Sequence, residues 1–258
     1  QPLSAPTPDR MSGTVCIGPF RDQSQVRGVY ASSPRDRMPG TTIAYPAAFP
    51  IGLPQINAND TGLSIKATSL DAFRADASLR EAVLSGGDPL VLPDSAFAAR
   101  VADLESVAHL STLRIHSRLP VVLPSRVTAD LCRILSTSRL RVVVVAHANH
   151  PSEIDSSVAS AIARLRGAGA VVLNQSVLLA GVNDSADALE NLSLALWDAG
   201  SMPYYLHALD RVEGSSRFRV ADTDGIRLVE ELRRRLPGYL VPRFVREIEG
   251  EPSKTPVG

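Results

Sequence analysis

From Leu70 onward the apolar positions fall into two alternating patterns. Short, almost unbroken apolar runs read as strands: AVL (82–84), LRIHS (113–117), RVVVVAH (141–147), AVVLNQSVLL (170–179), PYYLHAL (203–209) and a last short run, YLVP (239–242). Between them apolar residues recur at three- and four-residue spacing, which predicts helices near 94–110, 128–138, 155–167, 185–199 and 223–236. Thr128 and Asp130 stand at the start of one helix and Asp184 at another, where side-chain oxygens accept from free backbone N–H groups. Gly167 and Gly200 follow helix ends and are expected to take the left-handed backbone. Fully apolar short strands alternating with amphipathic helices imply a parallel sheet covered by helices. A doubly wound sheet and a partial barrel both satisfy this periodicity.

Residues 1–69 break the pattern. Up to about residue 65 they are rich in Pro, Ser, Gly and Arg, and stretches such as PRDRMPG (34–40) and PAAFPIGLPQ (46–55) predict irregular chain. The expected organisation is an irregular segment over 1–69 and an α/β unit over 70–258. With 258 residues and 44% hydrophobic content, one substantial core is affordable. Acids and bases balance at 27 each, which argues against broad binding to nucleic acid or to an anionic membrane. There is no apolar run long enough to span a bilayer, and 1–10 lack the pattern of a signal peptide. Cys16 and Cys132 are the only cysteines, which suits a reducing cytoplasm better than a disulfide scaffold.

In parallel α/β sheets the chemistry sits at the C-terminal ends of the strands. Polar residues collect at those positions: 85–88, 116–118, 147–150, 174–176 and 207–210. SGGDP (85–89) pairs two glycines that let the backbone approach a ligand, although an ordinary Gly-Asp turn has the same sequence. The run 114–128 carries Arg114, His116, Arg118 and Arg126 around an apolar strand and turn, and arginine binds carboxylate or phosphate bidentately. HANH (147–150) has histidines three apart, but at a strand end with no third ligand nearby it does not read as a metal site. Lys254 lies between Pro252 and Pro256; a buried lysine there would have a lowered pKa and could form an imine, whereas most lysines near a chain end are solvated. Cys132 reads as a small core residue.

Taken in order, VLSGGDPL, LRIHSRLPVVLPSRVT, VLNQSVLLAGVNDS, PYYLHALDRVEGSSRFRV and GYLVPRFVREIEGEPSKTPV resemble the lysine 2,3-aminomutases, pyridoxal phosphate-dependent members of the radical S-adenosylmethionine enzymes. PYYLHALD and EGEPSKTP most resemble the branch that makes (R)-β-lysine for attachment to elongation factor P. The resemblance covers about residues 70–258 and implies a partial (β/α) barrel of parallel strands. It implies three groups: pyridoxal phosphate, S-adenosylmethionine and a 4Fe–4S cluster. It also implies L-lysine as substrate, an indirect link to the elongation factor P pathway, a cytoplasmic location, and leaves a homo-oligomer open. By motif position, Lys254 resembles the lysine that binds pyridoxal phosphate covalently. Ser85, Gly86, Gly87 and Asp88 resemble the loop that contacts S-adenosylmethionine. Arg118, Asn174, Gln175 and Ser176 resemble the cofactor pocket, and Asp210 and Glu247 the acids near the substrate amine.

One family feature has no counterpart. The family's C-x-x-x-C-x-x-C motif precedes the SGGDP strand, and nothing between Met11 and Ser85 has that spacing. The leading expectation is therefore an aminomutase-type isomerase whose cluster ligands are not supplied. Its first rival is a homologue that binds pyridoxal phosphate or a partner without radical chemistry. A second rival is a lyase or racemase using Lys254 without a cluster.

Overall fold

The computed structural model describes residues 13–17 and 67–258, apart from Gly86, 211–214 and 249–252. The expectations for PRDRMPG, PAAFPIGLPQ and Gly86 lie outside the described residues. Two regular pieces fall within the segment read as irregular: strand β1 (Gly13–Ile17) and the start of helix α1 (Ala67–Ala75).

The remaining strands are β2 (Leu79–Leu84), β3 (Thr112–Ser117), β4 (Arg141–His147), β5 (Val171–Val177), β6 (Met202–His207), β7 (Arg243–Arg246) and β8 (Thr255–Pro256). The helices are α2 (Asp94–Glu105), α3 (Leu119–Val122), α4 (Ala129–Thr137), α5 (Ser156–Gly167), α6 (Ala186–Ala199) and α7 (Asp222–Arg235). Among the described residues the sheet runs β1 to β8 in chain order. Pairs from β1 to β7 are parallel, and β8 closes back antiparallel on β7. Because the order never reverses, successive crossovers of one hand put the helices on one face and curl the sheet into a half barrel. This decides between the two architectures left open by periodicity.

Burial alternates along β3 and β5. In β3, Leu113, Ile115 and Ser117 are buried while Arg114 and His116 are partly open. In β5, Val172, Asn174 and Ser176 are buried while Leu173, Gln175 and Val177 are partly open. The buried set packs against the helices: Leu113, Ile115, Val142, Val144 and Val172 share one core with Leu131, Ile162 and Leu165. A second core joins α6 and α7 to β6 and β7 through Leu189, Leu206, Leu232 and Phe244. Side chains one step out of phase line the concave face.

The helix ends follow local chemistry. Thr128 caps α4 by accepting from the Leu131 N–H at 3.0 Å. Ser185, one residue past the expected Asp184, caps α6. Gly200 takes φ of 88° as expected, whereas Gly167 is still helical and the left-handed turn falls at Gly169, φ 86°. Gly225 lets α7 approach β7, since a Cβ there would come 2.4 Å from the Phe244 ring. The run YLVP is not a strand. Pro237 starts a 3₁₀ turn at Gly238–Leu240, and the strand follows as Arg243–Arg246.

Candidate active site

The last strand pair positions Lys254. Val245 faces Pro256 and Arg246 faces Thr255, so the antiparallel register sets Lys254 opposite Glu247 on the concave face. The ammonium contacts Glu247 Oε1, lies 3.3 Å from His207 Nε2 and sits 5.4 Å above the Tyr205 ring centre. Tyr205 and His207 share that face because β6 carries a bulge: Pro203 pairs with Asn174 but Tyr205 pairs with Gln175. The Lys254 and Glu247 side chains are only 11% and 13% exposed.

Three histidines from other strands meet this group. His116 and His147 stand edge to face with ring centres 5.9 Å apart. Burial is the main force pushing His147 and His207 down to about 3, and the Lys254 charge adds to both. Burial also lowers His116 well below the usual imidazole value, helped by His147, Arg114 and Lys254. In a flat sheet β3 and β8 would lie roughly 24 Å apart, five strand spacings. The electrical contact between His116 and Lys254 is thus a product of the curl. With all three rings neutral at pH 7, His207 accepts from the ammonium through Nε2.

Burial raises the Glu247 carboxyl, the Lys254 ammonium pulls it back, and Asp210 pushes it further up. Asp210, just past β6, is raised by burial against the attraction of Lys254 and Arg246. Arg246 faces the helices instead, in a two-pronged pair with Asp222 at 2.6 and 2.9 Å. Deeper in the concave face Arg114 holds Glu81 through two bonds of 2.5 and 3.2 Å.

The loop residues divide into those that face the mouth and those that build it. Asp88 accepts from Ser117 Oγ (2.7 Å) and from the N–H groups of Leu90 (3.0 Å), Arg118 (2.7 Å) and Leu119 (3.3 Å). Its carboxylate therefore ties the loop after β2 to the loop after β3. Ser85 follows β2, and Gly87 turns with φ of 61°. Replacing Asp88 by Ala should lower the unfolding free energy by about 2–3 kcal/mol in a urea titration, because four donors lose a charged acceptor.

Asn174 and Ser176 are turned to the helix side. Asn174 brackets Ala148, accepting from its N–H at 2.8 Å and donating to its carbonyl at 3.0 Å, and Ser176 Oγ donates to the same carbonyl at 2.9 Å. Gln175, between them, faces the mouth, and its buried Oε1 has no hydrogen-bond partner. Arg118 reaches Glu153 at 3.5 Å, and Glu153 also accepts from the N–H groups of Asn149 and His150. His150 caps a 3₁₀ turn, so the two histidines of HANH point to separate tasks. Among the described residues no three His, Cys, Asp or Glu groups are placed to hold a metal ion. Nor is any described helix long and apolar enough to cross a membrane.

Tyr205 and Glu153 carry the site without having been singled out by sequence. Tyr205 is hidden in an aromatic run where the bulge shifts the phase, and Glu153 marks a one-turn element too short to show periodicity.

Two solved structures share this fold. A radical SAM methyltransferase from Sphaerobacter thermophilus superposes with a TM-score of 0.50 over 70% of this chain and 55% of its own, at 17% identity. Streptococcus suis SuiB does so with a TM-score of 0.50 at 13% identity, covering 69% of this chain and 42% of its own. No family model matches the sequence. Relatives do: the L-lysine 2,3-aminomutase of Escherichia coli is 48% identical over 190 residues, 74% of this chain and 56% of that protein. That of Haemophilus influenzae is 46% identical over 187 residues, 72% of this chain and 55% of that protein. The enzyme of Clostridium subterminale is 38% identical over 189 residues, 73% and 45%. Over the residues these matches cover, the chain is related to the L-lysine 2,3-aminomutases. It spans about half the length of the curated relatives it matches.

Proposed function

We propose that this barrel is the lysine- and pyridoxal phosphate-binding part of an isomerase converting L-lysine to (R)-β-lysine, of the branch serving elongation factor P. The observation that carries the reading is Lys254, a nearly buried amine held by Glu247 and His207 at the mouth of a barrel related to these aminomutases. The PYYLHALD and EGEPSKTP motifs support the branch.

The residues fit pyridoxal phosphate. Lys254 offers the amine, and the neutral histidines and Tyr205 wall the space around it. When bound, that cofactor supplies a conjugated ring able to delocalise an unpaired electron next to the substrate nitrogen. Asp210 and Glu247, two carboxylates raised by burial, take the side-chain ammonium of lysine. Arg118, steadied by Glu153, faces the loop side and takes a carboxylate. Gln175 Oε1 accepts a donor from the ligand, which ends its unpaired state. Asp88 holds the SGGDP loop so that its backbone groups, rather than its own carboxylate, meet S-adenosylmethionine.

The cluster does not fit. Three thiolates are needed within reach of one another, and the 258 residues hold Cys16 and Cys132, the latter in α4 beside the Arg164 carbonyl. No step is derived through it. This mismatch favours the second reading, a homologue that binds pyridoxal phosphate without radical chemistry.

Both readings meet the same test. Millimolar pyridoxal phosphate followed by borohydride should leave a reduced adduct on Lys254, located by peptide mass spectrometry, and Lys254→Ala should give none. An adduct on Lys66 in place of Lys254, or none at all, would remove the basis for both.

A further inference from the structure

Glu247 has two claims on it. One oxygen contacts the Lys254 ammonium, while the other, Oε2, is buried without a hydrogen-bond partner. Asp210 lies close enough for its charge to act on Glu247, and the Lys254 charge acts on both. Arg246, the next cation, is bound to Asp222 on the helix side, and the histidines around the site are neutral. Among the described residues Lys254 is thus the cation in contact with Glu247, and its charge also acts on Asp210, to which Arg246 adds.

We propose that Glu247 exchanges counter-ions, holding the Lys254 ammonium before the cofactor arrives and the lysine side-chain ammonium afterwards, so that cofactor capture opens the substrate site. The proposal rests on the reading of Lys254 and the acid pair given above. The chemistry of capture forces the exchange. Lys254 first gives a proton to solvent. Its nitrogen then forms a double bond to the aldehyde carbon, and the aldehyde oxygen leaves as water with the two amine hydrogens. The nitrogen that remains is neutral, or if protonated is balanced by the cofactor's own phenolate. Either way Glu247 loses its partner, and a carboxylate left buried and unpaired is unfavourable. An ammonium group of the substrate restores the balance. The coupling is reciprocal, so substrate must also strengthen cofactor capture. While Lys254 remains free it occupies the acid that the substrate needs, which makes the cofactor-free site self-blocking.

The test uses calorimetric titration with Nα-acetyl-L-lysine, which keeps the side-chain ammonium but has no free α-amine to exchange with the cofactor. The full chain loaded with pyridoxal phosphate should bind it about 10-fold more tightly than the cofactor-free chain, within the usual range of coupling between sites. Without cofactor, Lys254→Met should bind it about as tightly as the loaded wild type, because the blocking ammonium is gone. In Glu247→Gln the difference between loaded and unloaded protein should vanish. Equal affinity with and without cofactor, in protein shown to carry the adduct on Lys254, overturns the exchange and leaves the site reading standing. If no adduct forms, the site reading fails, and the comparison of cofactor-free wild type with Lys254→Met still decides: equal affinities overturn the exchange.

Discussion

Between pH 7 and pH 5 the fold is expected to lose about 4 kcal/mol of unfolding free energy through His147 and His207 alone, each held near 3 against an ordinary 6.5. The sign follows from proton uptake. Below 6.5 the unfolded chain protonates these rings while the folded chain keeps them neutral, so acid draws the equilibrium towards unfolding. Their contribution is complete above 6.5 and is lost progressively down to about 3. The slope is roughly 1.4 kcal/mol for each ring and each pH unit. His116, lowered by the same burial, works in the same direction. Asp210 and Glu247 work against it: their folded carboxyls are raised, so they take protons before their unfolded counterparts and recover some stability as pH falls. A loss of this size is a large share of the roughly 5–15 kcal/mol that holds a domain together. Urea titrations at pH 7, 6 and 5 measure it. The double variant His147→Gln, His207→Gln should show a much shallower dependence, and an unchanged slope would mean that these rings do not stay neutral in the fold.

The same burial explains which parts of the molecule could be read from sequence. The helix-side positions of each strand are apolar because they must pack, so Leu113, Ile115, Val142, Val144 and Val172 announce their strands. The helices announce themselves through caps such as Thr128. The curl does not, since it comes from an unreversed strand order that no local spacing records. The short β7–β8 pair is equally silent: two residues of β8 give no alternation to detect, yet their register is what puts Lys254 against Glu247. Polar strand ends were legible as a cluster, but polarity alone does not say which way a side chain turns. Asp88 looks like a ligand group and instead binds four donors of its own chain. The motif resemblance supplied what periodicity could not, the particular chemistry expected at Lys254. It also exposed the cysteine mismatch, which the fold does not repair, since Cys132 is carried by α4 on the helix layer.

Asn174 and Gln175 separate building the mouth from serving it, because they are adjacent in sequence and opposite in direction. Asn174→Ala should lower the unfolding free energy by roughly 3 kcal/mol. The variant strips the Ala148 N–H of its 2.8 Å acceptor, removes the 3.0 Å donor to the Ala148 carbonyl, and leaves a void where the side chain was 1% exposed. The carbonyl keeps Ser176 Oγ at 2.9 Å, which is why the loss stays below that of a fully orphaned peptide unit. For a chain of this length such a change lowers the melting temperature by about 10 °C. Gln175→Ala removes a buried carbonyl oxygen that has no partner, so its desolvation is relieved rather than a bond lost, and stability should change by less than about 0.5 kcal/mol. The effects on cofactor capture should reverse that order at low temperature, where both variants are folded. Asn174→Ala should still form the borohydride-reducible adduct on Lys254, because the β7–β8 register that places Lys254 is distant from the void. Gln175→Ala should need several-fold more pyridoxal phosphate for half-maximal capture, having lost the unpaired acceptor on the concave face. Thermal melting and a cofactor titration on the same two proteins read both quantities. A Gln175→Ala protein as unstable as Asn174→Ala would show that the two side chains share one face, and the alternation that defines the concave site would be wrong.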